Sequence, residues 1–126
     1  MGTKLSRRWQ TLWDELSDIL ARHLIQKRVR WSKHAKEQME DRNISQQSVQ
    51  YVVTRNVANE MYGAYEYPHG PQPYANPDPV FSITGTDASG RWITVAIAVQ
   101  NRGGRIVFTI VTVLEPGPHS RHRKQS

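Results

Sequence analysis

The chain has 126 residues, no cysteine, and 17 Lys plus Arg against 11 Asp plus Glu, giving a net charge of +6 and a pI near 10. That length suits one domain with its own core, and the missing thiols exclude disulfide frameworks, thiolate nucleophiles and cysteine-based zinc sites. No apolar run approaches the roughly 20 residues of a membrane span, so no membrane partner and a cytoplasmic location are expected, while the positive charge points to phosphate-bearing partners.

Leu5, Trp9, Leu12, Trp13, Leu16, Ile19, Leu20 and Leu24 recur at intervals of three and four. That spacing puts them on one stripe and predicts a helix from about Lys4 to Gln26. Asp14, Glu15 and Asp18 interrupt the apolar residues, so the stretch reads as an amphipathic helix and not as a secretory signal. Lys27 to Trp31 alternates as a short edge strand would. Ser32 and Ser45 are fair N-caps, opening helices over about Lys33–Asp41 and up to Arg55, the second with Val49, Val52 and Val53 inward. Asn43 suits the left-handed residue that ends a helix.

From Ala58 to Tyr67 the pattern turns β-like. Pro68 to Pro79 contains five prolines and Gly70, so it is a loop, and its length marks it as a functional or disordered one. Strands are predicted over Val80–Thr86, Arg91–Gln100 and Arg105–Leu114, joined by turns at Asp87–Gly90 and Asn101–Gly104. Ile93, Val95, Ile97 and Val99 alternate with Trp92, Thr94, Ala96 and Ala98, whereas the last strand is apolar on both faces, as a covered central strand would be. After Glu115 nothing remains to bury, and a mobile basic tail is expected. The sum is an α+β fold, N-terminal helices packed on an antiparallel β-meander sheet of about four strands. The chain divides into an amphipathic helix over residues 1–29, an α+β domain over 30–116 and a tail over 117–126.

The chemistry concentrates between Trp31 and Ser45. His34 opens a helix in a cationic neighbourhood of Lys33, Lys36 and Arg42. On that helix His34, Gln38 and Asp41 share a face, with Arg42 about 80° round from it. An imidazole that moves a proton near neutral pH, beside a guanidinium that grips developing negative charge, suits phosphodiester chemistry. The bland alternative is a packing histidine with Arg42 paired to Asp41 or Glu37. His69, His119 and His122 lack accompanying carboxylates, so no metal site is expected. Tyr62, Tyr65, Tyr67 and Tyr74 flank the proline loop and could stack on unpaired bases or simply pack.

The run Ser32-Lys-His-Ala35, with Arg42 closing the helix and Asn43-Ile44-Ser45 next in the chain, resembles the opening signature of the family called domain of unknown function 4258. Ile110 to Pro116 is similar to that family's last strand, which carries a Thr before a terminal Pro. Asn43 stands where the family usually has Gly, and the first helix is an addition. The resemblance implies kinship with the RelE/ParE toxins and the wider RelE-, barnase- and colicin-like ribonucleases. It thereby implies metal-independent, cofactor-free cleavage of RNA, with the ribose 2′-hydroxyl attacking the adjacent phosphate. His34 would then be acid or base, Arg42 the phosphate clamp and Thr112 an orienting donor, while Lys33, Lys36, Arg91 and Arg105 are RNA-binding candidates chosen for charge. An antitoxin or immunity protein is the expected protein partner, and the N-terminal helix a means of homodimerisation. The alternative is a non-catalytic, toxin-like module that grips a protein or a nucleic acid.

Overall fold

Serines start the second and third helices, and the sequence places both. The computed structural model describes residues 3–4 and 7–116, with side chains from Gln10 onward. Helix α2, Lys33–Arg42, begins where the Ser32 hydroxyl accepts from the Ala35 amide, and α3, Gln46–Arg55, where Ser45 accepts from the Ser48 amide. Asn43 ends α2 in the left-handed region at φ 53°. There its amide donates to the Glu40 carbonyl and the Ile44 amide to that of Met39, so two orphan helix carbonyls are satisfied. Ile44 and Met39 join the same core, which completes the motif and explains why Asn serves where Gly would.

The first helix, α1, spans Arg7–Ile25, shorter than the expected stretch from Lys4 to Gln26. Thr3–Lys4 is instead a strand, β1, whose backbone pairs antiparallel with Met61 and Glu60. The remaining strands are β2 Arg30–Trp31, β3 Glu60–Tyr62, β4 Val80–Thr86, β5 Trp92–Arg102 and β6 Arg105–Leu114. They form a six-stranded sheet in the order β1-β3-β4-β5-β6-β2. The expected antiparallel meander is its centre, β3 to β6. A two-residue strand extends it at each edge, and β2 runs parallel to β6, as the return through α2 and α3 permits. Of the β-like stretch Ala58 to Tyr67, only Glu60–Tyr62 pairs, since Tyr65 turns left-handed at φ 60°.

All three helices cover one sheet face. Trp13, Leu16 and Leu20 of α1, Ala35 and Met39 of α2 and the valines of α3 pack on Phe81, Ile83, Val95, Ile97, Phe108 and Ile110. The Trp13 ring lies 5.0 Å from Phe81. Of the stripe expected to drive homodimerisation, Trp13, Leu16, Leu20 and Leu24 are buried in the protein's own core, Leu12 is exposed, and the side chains of Leu5 and Trp9 lie outside the described residues. Helix α1 thus shares one core with the strands and helices of residues 30–116. On the opposite face Ala96 and Ala98 leave room for the Tyr62 and Tyr67 rings, and the segment 63–79 folds over them. The last strand is less covered than its composition suggested, because β2 flanks only two of its residues and Val107, Thr109 and Val111 stay half exposed. Among the described residues no helix is long and apolar enough to cross a membrane. The tail expected after Glu115 lies, from residue 117 on, outside the described residues.

If α1 is integral to the core, Trp13→Ala lowers unfolding free energy by about 3–5 kcal/mol. Leu12→Ala, on the exposed side of the same helix, changes it by under about 1 kcal/mol. Urea denaturation of both variants checks this, and a cost for Trp13→Ala no larger than for Leu12→Ala would contradict the shared core.

Candidate functional site

One irregularity decides which side chains meet. Along β6 the pairing with β5 runs Val99 to Phe108, Ala98 to Thr109 and Ile97 to Ile110, then resumes at Ala96 with Thr112. Val111 is the extra residue of a β-bulge. Phe108 and Ile110 face the helices, and strict alternation would send Thr112 after them. The bulge reverses the parity, so Val113 takes the core position and Thr112 turns to the opposite face. There its buried hydroxyl accepts a hydrogen bond from the Tyr67 hydroxyl at 2.7 Å.

The same place anchors the start of α2. The Ser32 amide donates to the Ile110 carbonyl at 2.9 Å and its hydroxyl to the Val111 carbonyl at 3.3 Å. Further along the helix, Gln38 accepts from the Val113 amide at 2.8 Å, occupying a donor that β2 is too short to reach. Together these bonds hold His34, in the first turn of α2, beside Thr112.

Between them opens a cleft of about 410 Å³. Lys33 and His34 line one wall, Val111 and Thr112 the floor, and Tyr67 and His69 of the 63–79 segment the other wall. The Tyr67 ring meets His69 edge-on at 5.5 Å and Tyr62 at 5.1 Å, so an aromatic ladder runs from the core to the cleft. Lys33 and His34 occupy the first helical turn, whose amides have no intrahelical acceptor and carry partial positive charge. Two imidazoles, an ammonium-bearing side chain and the Tyr67–Thr112 hydroxyl pair thus belong to one cleft at the start of a helix.

The predicted residues fare unequally. His34, Thr112 and Lys33 share the cleft. Arg42 does not: it lies eight residues along α2 from His34, about 12 Å by the helical rise, and near Glu115. Lys36 is exposed on α2 outside the cleft lining. Arg91 is engaged internally, its guanidinium bonding Glu115 at 2.8 Å, the Asn43 carbonyl at 3.0 Å and the Arg42 carbonyl. It closes the C-terminal end of α2, where a cation is favoured, and lies outside the cleft lining. Arg105 belongs to a separate groove at the tip of the β5–β6 hairpin. The sequence offers Tyr67 only as a stacking or packing ring and His69 only as an unaccompanied histidine, and places neither in one cleft with His34. The signal that could have found them is the length of the proline loop that carries His69.

With the geometry in place, the comparison with protein families is decisive for kinship. Residues 31–115 match the family model described as Domain of unknown function (DUF4258). The chain belongs to that family. The matched span runs from β2 to the end of β6, so it contains the bulge, the α2 docking and the proline loop, and leaves out α1. No curated protein and no solved structure matches the chain.

Burial pushes the Tyr67 hydroxyl up to about 12, although its bond to Thr112 acts in the opposite direction. The folded state thus keeps a proton that the unfolded chain releases near 10. The resulting stabilisation is complete below pH 10 and fades as pH climbs from 10 through 12. Tyr67→Phe leaves the Thr112 hydroxyl without that partner and costs about 1–3 kcal/mol near neutral pH. It also removes this part of the alkaline loss, so the gap between wild type and variant narrows above pH 10. Urea midpoints at pH 8 and about pH 11 test the sign, and a gap that widens with pH would contradict it.

Proposed function

We propose that this protein is a metal-independent endoribonuclease of the toxin type, acting at the His34 cleft. The observation that carries the proposal is that two imidazoles, His34 on α2 and His69 on the proline loop, line one cleft together with Lys33 and the Tyr67–Thr112 pair. In the reaction, one imidazole takes the ribose 2′-hydroxyl proton as that oxygen attacks the adjacent phosphorus. The P–O5′ bond breaks, and the second imidazole gives its proton to the departing 5′-oxygen. A 2′,3′-cyclic phosphate and a 5′-hydroxyl remain. Lys33 and the first-turn amides of α2, rather than Arg42, hold the charge on the non-bridging oxygens. Kinship with RelE and ParE toxins, a cytoplasmic site of action and restraint by an antitoxin or immunity protein belong to the same proposal.

The second reading, a non-catalytic binding module, draws on two facts. The Thr112 hydroxyl is already bonded to Tyr67, and Arg42 stands apart from His34.

Purified protein with EDTA and end-labelled RNA separates the two. On the catalytic reading the RNA is cut to cyclic-phosphate ends, and one 2′-deoxy substitution protects its own linkage. His34→Ala and His69→Ala each then lower the rate about 100-fold or more, with unchanged melting temperatures. RNA that is bound yet remains intact at enzyme excess would leave the binding module in its place.

A further inference from the structure

A second concavity, about 600 Å³, lies at the hairpin end of the sheet. Its walls carry Arg22 from α1, Arg28 from the turn before β2, Arg30 at the start of β2, and Arg102 and Arg105 from the β5–β6 hairpin. All five are exposed. No carboxylate lines the groove, and among the described residues none lies within ion-pair distance of these arginines. Arg28 and Arg102 are steadied by neutral amides instead, Gln26 at 3.5 Å and Gln100 at 2.7 Å, which orient a guanidinium without cancelling its charge. Contrast Arg91, which is neutralised by Glu115. Unpaired guanidiniums converging on one hollow suit forked recognition of phosphate oxygens.

Position gives the occupant. β2 carries Arg30 into the groove and delivers Ser32 to the cleft two residues later, a step of about 7 Å. On β6 the groove is lined by Val107 and the cleft by Val111, about 13 Å apart. A flexible polyanion entering the cleft would run along this edge of the sheet into the arginines. We infer that the arginine groove is a phosphate-backbone site that holds a single RNA strand beside the His34 cleft. This rests on the RNA-directed reading of the cleft but not on its catalysis. Burial, and then Arg28, Arg22 and Arg105, hold the His23 imidazole of the groove below the usual histidine range. That is the state of a site whose positive charge awaits an anion.

The test is fluorescence anisotropy with a labelled single-stranded RNA of about 12 nucleotides, using the full chain carrying His34→Ala so that cleavage does not confuse binding. Arg28→Ala, Arg30→Ala and Arg105→Ala together are expected to weaken binding about 30-fold or more at 0.1 M salt. They also flatten the slope of log affinity against log salt by about 2, since each lost contact to a single strand is worth about 0.7. A charge-matched control with Lys27→Ala, Lys36→Ala and Arg55→Ala, all exposed and outside the groove, is expected to change affinity under about threefold. On RNA binding, the NMR titration of His23 moves to higher pH. Equal losses in the two triple variants, or none in either, would overturn the groove. So would polyglutamate binding as tightly as RNA and losing as much in the arginine variant, because the groove would then serve an acidic protein. The same arginine substitutions are then assayed with His34 restored, where RNA held through the arginines but never cut would sink the catalytic reading alone. RNA cut at the His34 cleft regardless of the arginines would sink the groove alone.

Discussion

The union of the α2 start with the bulged end of β6 is the constraint on which the rest depends. A helix can deliver a first-turn side chain to a sheet only if its N-terminus is held there, and Ser32 does this through two β6 carbonyls while capping α2. Its amide, its hydroxyl proton and its hydroxyl lone pair are all in use. The bulge at Val111 supplies a carbonyl that the ladder does not consume and turns Thr112 out of the helix-facing core. Were β6 to run without the bulge, Val111 would pair with Ala96 and Thr112 would turn under the helices, a burial costing about 1–3 kcal/mol for a hydroxyl without a partner.

The proline-rich segment depends on this arrangement in turn. It has little apolar surface of its own, and Tyr65 and Tyr74 both sit at positive φ, a conformation costing about 1–2 kcal/mol for such residues. Tyr67 offsets that cost. Its ring fills the space above Ala96 and Ala98, its hydroxyl reaches Thr112, and its carbonyl receives the Tyr74 amide. The segment is thereby fastened to the sheet at Tyr67, which brings His69 into the lining of the cleft that holds His34.

Much of the fold was legible in the sequence because its signals are local. The caps at Ser32 and Ser45, the left-handed Asn43, and the alternation of Ile93, Val95, Ile97 and Val99 each depend on neighbours within a few residues. The alternation of Lys27 to Trp31 announces the edge strand β2, although only Arg30–Trp31 pairs, whereas β1 was not legible, since two residues carry no period and pair only because β3 is there. The site was half legible. His34 and Thr112 line one cleft, whereas Arg42, about 80° round the helix from His34, also stands eight residues and about 12 Å further along it. Tyr67 and His69 enter through a tertiary fold of the loop that no spacing in the chain announces.

Charge separates the two kinds of arginine in this protein, and the separation carries the last step. Arg91 meets a carboxylate and two helix carbonyls, so it closes α2 and lowers the Glu115 carboxyl below its usual range. The five arginines of the groove meet none. Two like charges about 7 Å apart in water repel by about 0.6 kcal/mol, and the repulsion recurs for every close pair, so the cluster opposes folding whenever it is empty. Such a cluster is not what stability alone would select. Its cost is explained if an anion occupies it in use, and the edge shared by β2 and β6 then makes groove and cleft two parts of one binding surface.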